Sequence, residues 1–402
     1  MIGGGRFGML ALVALVGSPA MVSAQVTEPT PVRSAAPYAE IATNPPRKDA
    51  IAQTRKLIEA FMARRGVPGL SIAITRDSVM QMSEGFGLAD VEQGVPVTPA
   101  TRFRSGSTAK PMSMAAAARL HDMGKLDFDT PVQKLVPTFP VKPGKPITFQ
   151  MLSGMLGGLR HYRLGTDDFF NARRYDNVLD YVATFQDEPL LAPPGTKFLY
   201  SSPGVNLQGA MTQAAGGKPF PDLVQELVFA PLGMIHTSID RNEAIVPNRV
   251  RYYERTGGER TYRIRQSSWG PEGAPQRGVL LNAPYSDNSN KFPSGGYLTT
   301  PEDLVKFGNA HLQPGFLKAD TLKQLFTSQK TADGKPTGYG MNWFIGNDVG
   351  GQPIWWHTGS SVGGNSILLI YPEQRVVLAI QTNLTDSEMG ELPREIARLF
   401  LN

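Results

Sequence analysis

The sequence has 402 residues, of which 41% are hydrophobic and 19% charged, the balance of an ordinary globular protein. It contains no cysteine, which excludes disulfides, a thiol nucleophile and a cysteine-ligated metal. The net charge of +5 is mildly basic, and basic residues cluster only between Arg249 and Arg265, where they alternate with tyrosines. No nucleic-acid-binding motif accompanies this stretch. We interpret it as a solvated hairpin turning at Gly257-Gly258, and we expect no nucleic-acid partner.

The first 24 residues have the pattern of a secretory signal peptide. Arg6 precedes an apolar run from Met9 to Val16, and Val22-Ser23-Ala24 supplies small residues for cleavage before Gln25. The apolar run is too short to span a bilayer, so we expect no stable membrane anchor after cleavage. Residues 25–48 are rich in Pro, Thr and Ala, which predicts a flexible linker. The sequence therefore predicts a periplasmic or secreted protein whose folded domain spans residues 49–402.

The first half of that domain alternates between periodic and irregular segments. Apolar spacing predicts a helix from Ala50 to Arg65, followed by a hairpin of two strands, Leu70 to Thr75 and Val79 to Ser83. An alanine- and methionine-rich run from Pro111 to Leu120 predicts a buried helix. Pro and Gly then punctuate the chain over residues 126–290, which predicts an insertion of loops and short helices.

The end of the chain returns to strands. Pro301 opens a helix, and a closing helix is predicted at residues 391–400. Between them the predicted strands are Tyr339 to Ile345, Ile354 to His357, Ser366 to Tyr371 and Val376 to Thr382. Strands at both ends with helices between them predict an α/β (α+β) fold. We expect one sheet built from both termini and flanked by helices.

Ser107 and Lys110 lie three residues apart at the start of the predicted buried helix. A lysine at this spacing lies on the same face one turn away, within reach of the serine proton. The helix end and a buried setting both disfavour an ammonium, so the lysine can act as a neutral base. The positive end of the helix dipole also favours a developing oxyanion. This spacing occurs by chance in a chain of this composition, so it needs partners elsewhere in the sequence.

Two further motifs follow, Tyr200-Ser201-Ser202 and, at the end of an apolar strand, His357-Thr358-Gly359. Ser-x-x-Lys, Tyr-x-Ser and His-Thr-Gly in this order resemble the penicillin-recognising serine hydrolases, which include class C β-lactamases, D-alanyl-D-alanine peptidases and related esterases. The flanking stretches Gly158 to Tyr162 and Asn282 to Ser289 are most similar to the branch that contains the mitochondrial serine β-lactamase-like proteins and their bacterial relatives.

The resemblance implies a β-lactamase/transpeptidase-like fold with a mostly antiparallel sheet, and it implies a role for each motif. Ser107 would attack a carbonyl carbon to form an acyl-enzyme, and Lys110 would accept the serine proton. Tyr200 would act either as a phenolate near Lys110 or as the proton donor to the leaving group. The backbone N–H groups of Ser107 and Ser360 would form the oxyanion hole. The residues that would line the substrate site are Ser202, His357, Thr358 and Gly359.

Two of these positions carry further information. Ser202 also suits the N-cap of a helix that begins at Pro203, and both interpretations stay open. His357 stands where many β-lactamases carry lysine. Histidine is mostly neutral above its usual pKa of about 6.5, so its attraction for a substrate carboxylate would be weaker and pH-dependent. We therefore expect cleavage of small peptides or esters and weak β-lactamase activity at most.

We expect no metal and no cofactor. The remaining histidines lack the spacing of metal ligands and are interpreted as structural or surface residues; they are His121, His161, His236 and His311. One segment departs from the family pattern. Met155-Leu156-Gly157 stands where many relatives have His-Thr-Ser, a segment that supports the floor of the active site.

Alternative functions remain. A true β-lactamase or a D-alanyl-D-alanine carboxypeptidase would use the same motifs, and a catalytically silent self-assembling or binding scaffold could retain the fold. Oligomerisation also stays open.

Gly359 to Gly363 matches the nucleophile elbow of α/β-hydrolases, but Ser366 to Tyr371 is predicted to be a strand where an elbow needs a helix. No histidine follows His357 to complete that triad.

Overall fold

A computed structural model describes Met1 and residues 47–163, 169–256 and 278–401. The predicted signal peptide, nearly all of the predicted linker and the Gly257-Gly258 turn lie outside the described residues. Within them, the strand Tyr253–Arg255 pairs with Leu280–Asn282. The second strand of this pair therefore lies further along the chain than the predicted hairpin at residues 249–265.

The described strands, in chain order, are β1 (Gly69–Arg76), β2 (Val79–Asp90), β3 (Val95–Pro96), β4 (Phe103–Arg104), β5 (Ser238–Ile239), β6 (Tyr253–Arg255), β7 (Leu280–Asn282), β8 (Tyr297–Thr299), β9 (Phe344–Asn347), β10 (Pro353–Ser361), β11 (Gly364–Tyr371) and β12 (Val376–Thr382).

The described α-helices are α1 (Lys48–Arg65), α2 (Ala109–Asp122), α3 (Val132–Leu135), α4 (Phe149–Ser153), α5 (Val178–Val182), α6 (Ser202–Gly216), α7 (Phe220–Val224), α8 (Phe292–Gly295), α9 (Pro301–Asn309), α10 (Ala319–Leu325) and α11 (Leu392–Arg398). Short 3₁₀ turns occupy Gly106–Thr108 and Asn288–Lys291, and a π-turn occupies Gln225–Phe229.

Seven of the described strands form one antiparallel sheet in the order β3-β2-β1-β12-β11-β10-β9. Its centre joins the two ends of the chain, because β1 pairs with β12 from Leu70 opposite Thr382 to Arg76 opposite Val376. Both faces are covered by helices, which explains why every residue of β12 is buried and apolar residues run through it almost continuously. The predicted fold, one sheet built from both termini with a helical insertion, is confirmed.

Alternate residues of β12 enter the two halves of the core. Leu378 packs on the face that carries Ile58 of α1 and Ile396 of α11. Val377 packs on the opposite face, where α2 and α9 lie and Phe307 is buried. This period of two is the geometry of a strand, and it fixes the register of the sheet against its two helical layers.

The predicted hairpin of β1 and β2 is confirmed, and Asp77 and Ser78 form its turn with φ of 50° and 64°. The predicted strand from Tyr339 to Ile345 is wrong at its start, because β9 begins at Phe344. Asn342 has a φ of 60°, in the left-handed region, so the chain cannot run extended through it. Tyr339 is thereby left in a buried loop beside the sheet.

Candidate active site

Ser107 lies in a 3₁₀ turn, Gly106–Thr108, that leads from β4 into α2. Gly106 has a φ of 50°, and a Cβ there would stand 2.8 Å from the backbone N and O of Ser360. Glycine is therefore required both by the conformation and by the close approach of β10. The turn holds Ser107 partly exposed at the N-terminal end of α2, a helix whose residues are mostly buried.

Lys110 lies one turn further on and is fully buried, with 0% of its surface exposed. Its Nζ lies 2.8 Å from Ser107 Oγ and donates a second hydrogen bond over 2.8 Å to the carbonyl oxygen of Ser294. Burial lowers the pKa of Lys110 well below its ordinary value, because the charged form loses its hydration. A neutral amine can donate to Ser294 and accept from Ser107 at the same time.

Tyr200 reaches the same point from the loop before α6. Its ring centroid lies 5.0 Å from Lys110 Nζ, and the Ser107 side chain interacts with its hydroxyl. Burial raises the pKa of Tyr200 above its usual 10, and the interaction with Ser107 acts more weakly in the opposite direction. The phenol is therefore neutral near pH 7, which favours the proton-donor interpretation of Tyr200 over the phenolate.

The two backbone groups predicted for an oxyanion hole are brought together by tight packing of β10 against the nucleophile turn. A Cβ on Gly359 would stand 2.8 Å from the Ser107 nitrogen and 2.0 Å from the Ser105 carbonyl oxygen. Ser360, next in β10, is exposed and pairs with Asn365 of β11. The close approach brings the backbone of residues 359 and 360 against the turn that carries Ser107.

His357 is buried in β10 with 1% of its surface exposed, and both ring nitrogens have protein partners. Nδ1 lies 2.7 Å from the carbonyl oxygen of Thr358, and Nε2 lies 3.1 Å from the hydroxyl of Tyr339. Burial, and secondarily the charge of Lys110, lowers the pKa of His357 to about 3. We expected a pH-dependent attraction between His357 and a substrate carboxylate. The structure does not support this expectation, because the ring stays neutral throughout the ordinary pH range.

Ser202 is the first residue of α6, and the N-cap is its neighbour Ser201. The Ser201 hydroxyl accepts the backbone N–H of Gly204 over 2.9 Å and donates to the carbonyl oxygen of Arg160 over 2.5 Å. The N-cap interpretation of Ser202 is therefore wrong. Ser202 itself is 2% exposed, and its backbone N–H lies 3.5 Å from Nδ1 of His161.

Three residues near the nucleophile were not among the predicted site residues. The Ser294 carbonyl binds Lys110, and the Ser294 hydroxyl lies 3.0 Å from the hydroxyl of Tyr162. His161 packs edge-on against Tyr200, with ring centroids 5.2 Å apart. His161 and Tyr162 belong to the stretch Gly158 to Tyr162 that carried the family resemblance, and that resemblance was the signal in the sequence that could have identified them.

The departure at Met155 is accommodated within the core. Met155 is 1% exposed, has a φ of 60°, and packs with Val205 of α6 and Tyr339. Its sulfur accepts the backbone N–H of Ser201 over 3.3 Å. The thioether of Met155 therefore holds the backbone directly after Tyr200. Met155 does this although its own backbone is in the left-handed region.

Across residues 47–163, 169–256 and 278–401, no three histidine, aspartate or glutamate side chains converge closely enough to hold a metal ion. The same segments contain no helix with the length and apolarity needed to span a bilayer.

A sheet flanked by helices, with a serine in the turn before a helix, a buried lysine in the first turn of that helix and strand β10 beside them, defines the architecture of the serine β-lactamase-like hydrolases. The family model described as Beta-lactamase matches residues 54–401, so the chain belongs to the β-lactamase family, within the serine hydrolase superfamily.

Individual proteins agree with this assignment. The human mitochondrial serine beta-lactamase-like protein LACTB is 28% identical over an alignment 442 positions long, which covers 86% of this chain and 77% of that protein. Among solved structures, a D-stereospecific amidohydrolase from Streptomyces sp. matches with a TM-score of 0.70 at 21% identity, covering 86% of this chain and 98% of its own. EstCE1, described as a hydrolase with promiscuous acyltransferase activity, matches with a TM-score of 0.71 at 19% identity, covering 88% and 99%.

Proposed function

We propose that the protein is an exported serine hydrolase that forms an acyl-enzyme at Ser107 and cleaves peptide or ester bonds. The observation that carries the proposal is the buried Lys110, whose Nζ lies 2.8 Å from Ser107 Oγ and whose pKa burial lowers. A buried lysine beside a serine without a paired carboxylate is costly for stability and useful for proton transfer.

In the acylation step, the lone pair of Lys110 Nζ takes the proton of Ser107 Oγ as the oxygen bonds to the substrate carbonyl carbon. The π electrons move onto the carbonyl oxygen, which the N–H groups of Ser107 and Ser360 stabilise. The intermediate then collapses, and the bond to the leaving group breaks. The leaving group takes a proton from Tyr200, and Lys110 returns its proton to Tyr200.

In the deacylation step, water attacks the acyl carbon and gives a proton to the same base. The ester bond to Ser107 then breaks, and the serine oxygen recovers its proton from Lys110. Both half-reactions use one base and one oxyanion hole, so no further titrating group is needed to complete the cycle.

The choice of peptides or esters over β-lactams follows from the charge of the site. A substrate with a carboxylate beside the scissile bond gains from a fixed cation, but His357 is neutral and both of its nitrogens are bonded within the protein. The similarity to solved hydrolases described as an amidohydrolase and as a hydrolase with acyltransferase activity supports the same choice. Export is proposed on the pattern of residues 1–24 alone.

A fluorophosphonate probe tests the reaction. We expect the purified protein to be labelled on one residue, and labelling to vanish in Ser107→Ala. Ser361→Ala is the matched control, because this nearby serine occupies the position of an α/β-hydrolase nucleophile and donates to the carbonyl of Gly364. Loss of labelling in Ser361→Ala would reverse the assignment. An intact protein that no acylating probe labels would identify a binding scaffold.

The substrate class is tested on purified protein that has not been labelled. Initial rates on D-Ala-D-Ala peptides, L-peptides, p-nitrophenyl esters and nitrocefin are compared at equal enzyme concentration. We expect ester or neutral peptide turnover to exceed that of nitrocefin and of the D-Ala-D-Ala peptides, which carry a free carboxylate. Nitrocefin turnover at the highest rate of the panel would establish a true β-lactamase instead.

A further inference from the structure

We propose that His161 is a substrate-binding residue, whose Nε2–H donates a hydrogen bond to a second carbonyl oxygen of the substrate, outside the scissile bond. The preferred substrates are then peptide-like acyl compounds rather than simple alkyl esters. The inference rests on the proposed acyl-enzyme chemistry at Ser107 and adds a specificity to it.

The tautomer of His161 follows from its backbone neighbours. Nδ1 accepts the N–H of Tyr162 over 2.7 Å, and the N–H of Ser202 also points at it from 3.5 Å. A nitrogen that accepts two N–H groups carries no proton, so the proton of the neutral ring is on Nε2. The ring therefore presents a donor whose direction is fixed by main-chain atoms.

The charge of His161 is fixed as well. Burial lowers its pKa to about 3, and the positive charges of Lys110 and Arg160 act in the same direction. Arg160 adjoins the ring and is anchored to Glu188 by two hydrogen bonds, of which that from Nη2 is 2.9 Å long. The imidazole is neutral near pH 7, so it can donate a hydrogen bond but cannot attract substrates by charge.

His161 lies next to two residues of the candidate active site, Tyr200 and Lys110. Its ring packs edge-on against Tyr200, whose hydroxyl interacts with the Ser107 side chain. The side chain is partly exposed, whereas His357 is buried. Nε2 of His161 has no hydrogen-bond partner among the described residues, whereas Nε2 of His357 is taken by Tyr339. An unpaired, oriented donor beside Tyr200 suits a substrate oxygen.

Two substitutions separate the two ring nitrogens. Asparagine places its amide near the position of Nδ1 and keeps an acceptor for the backbone, whereas glutamine places its amide near Nε2 and keeps the donor. If His161 only supports the fold through Nδ1, His161→Asn is the milder change. If Nε2 binds substrate, His161→Gln is the milder change.

The test uses three esters, followed by acid release in a pH-stat. p-Nitrophenyl acetate has no second carbonyl, the p-nitrophenyl ester of N-acetylglycine has one on the acyl side, and the acetate ester of N-methylglycolamide has one on the leaving-group side. We expect His161→Asn to lower kcat/KM on at least one amide-bearing ester at least tenfold more than on p-nitrophenyl acetate. His161→Gln should bring that ratio back to within threefold of the wild type.

Equal losses on all three esters, or a larger selective loss in His161→Gln than in His161→Asn, would overturn the inference. If the wild-type protein hydrolyses none of the esters, the probe labelling and the peptide panel decide the proposed reaction, and binding decides the role of His161. N-Acetylglycinamide is then titrated into wild type and both variants by NMR. Weaker binding in His161→Asn alone supports the donor, and equal binding in all three refutes it.

Discussion

The hydroxyl of Tyr339 donates a hydrogen bond to Nε2 of His357 over 3.1 Å. The opposite nitrogen of the ring, Nδ1, donates to the carbonyl of Thr358 over 2.7 Å. His357 is thus a neutral link between the strand β10 and the loop that carries Tyr339. Because His357 stays neutral, Lys110 is the group whose protonation governs the rate of the proposed reaction.

The pH dependence of the reaction follows from this arrangement. Lys110 acts as a base only when neutral, so kcat/KM is expected to rise with pH through the lowered pKa of Lys110 and then to level off. No separate step is expected near pH 6.5, because His357 and His161 both have pKa values of about 3. The measurement is kcat/KM on a neutral ester between pH 5 and 10. A step near pH 6.5 that disappears in His357→Gln would contradict the assignment.

The base role of Lys110 is distinguished from a role as a fixed cation by two substitutions. Lys110→Met removes both functions, whereas Lys110→Arg keeps a positive charge that cannot be lost in the usable pH range. A base contributes a factor of about 10²–10⁴, so both variants are expected to lose activity by at least about a hundredfold. Rates are measured on a p-nitrophenyl ester, with circular dichroism as the control for folding. Substantial activity in Lys110→Arg would show that charge is sufficient.

Much of this site could be predicted from the sequence because its parts are local motifs in a fixed order. Periodicity in the sequence also predicts several elements around it, namely the helix after Ser107, the hairpin of β1 and β2, and the strands β10 to β12. The Tyr339–His357 pair could not be predicted, because it depends on a left-handed residue, Asn342, that turns an apolar segment into a loop. Nor could the sequence decide which of two adjacent serines caps α6, since both side chains suit the position.

The acid stability of the fold is expected to depend on buried histidines. His311 is buried, and burial lowers its pKa to about 4 from an ordinary 6.5. The unfolded chain binds a proton below pH 6.5 that the folded protein does not bind, so stability falls as pH drops from 6.5 towards 4. For this residue the loss between pH 7 and pH 5 is about 2 kcal/mol. Urea denaturation at both pH values should show a smaller loss in His311→Gln than in wild type. An unchanged difference between the two pH values would contradict this origin.

At Met155, removing the sulfur is expected to lower the stability of the protein less than removing the side-chain volume. Met155→Leu conserves volume but removes the sulfur that accepts the Ser201 N–H, and should cost about 1 kcal/mol. Met155→Gly relieves a left-handed residue by about 1–2 kcal/mol but leaves a cavity costing about 2–5 kcal/mol. Thermal unfolding should therefore rank the proteins wild type, Met155→Leu, Met155→Gly. A more stable Met155→Gly would mean that strain at this residue outweighs its packing.

The pairing of β1 with β12 has a consequence for the order in which the protein is made. Ser107 and Lys110 are synthesised well before Val376–Thr382, the strand that lies between β1 and β11 in the sheet. Until then β1 lacks one of its two neighbours, and its apolar side chains have no complete core to enter. A nascent chain can therefore carry its nucleophile long before it can carry out a reaction. Deleting β12 would remove a central strand of the sheet rather than an edge strand.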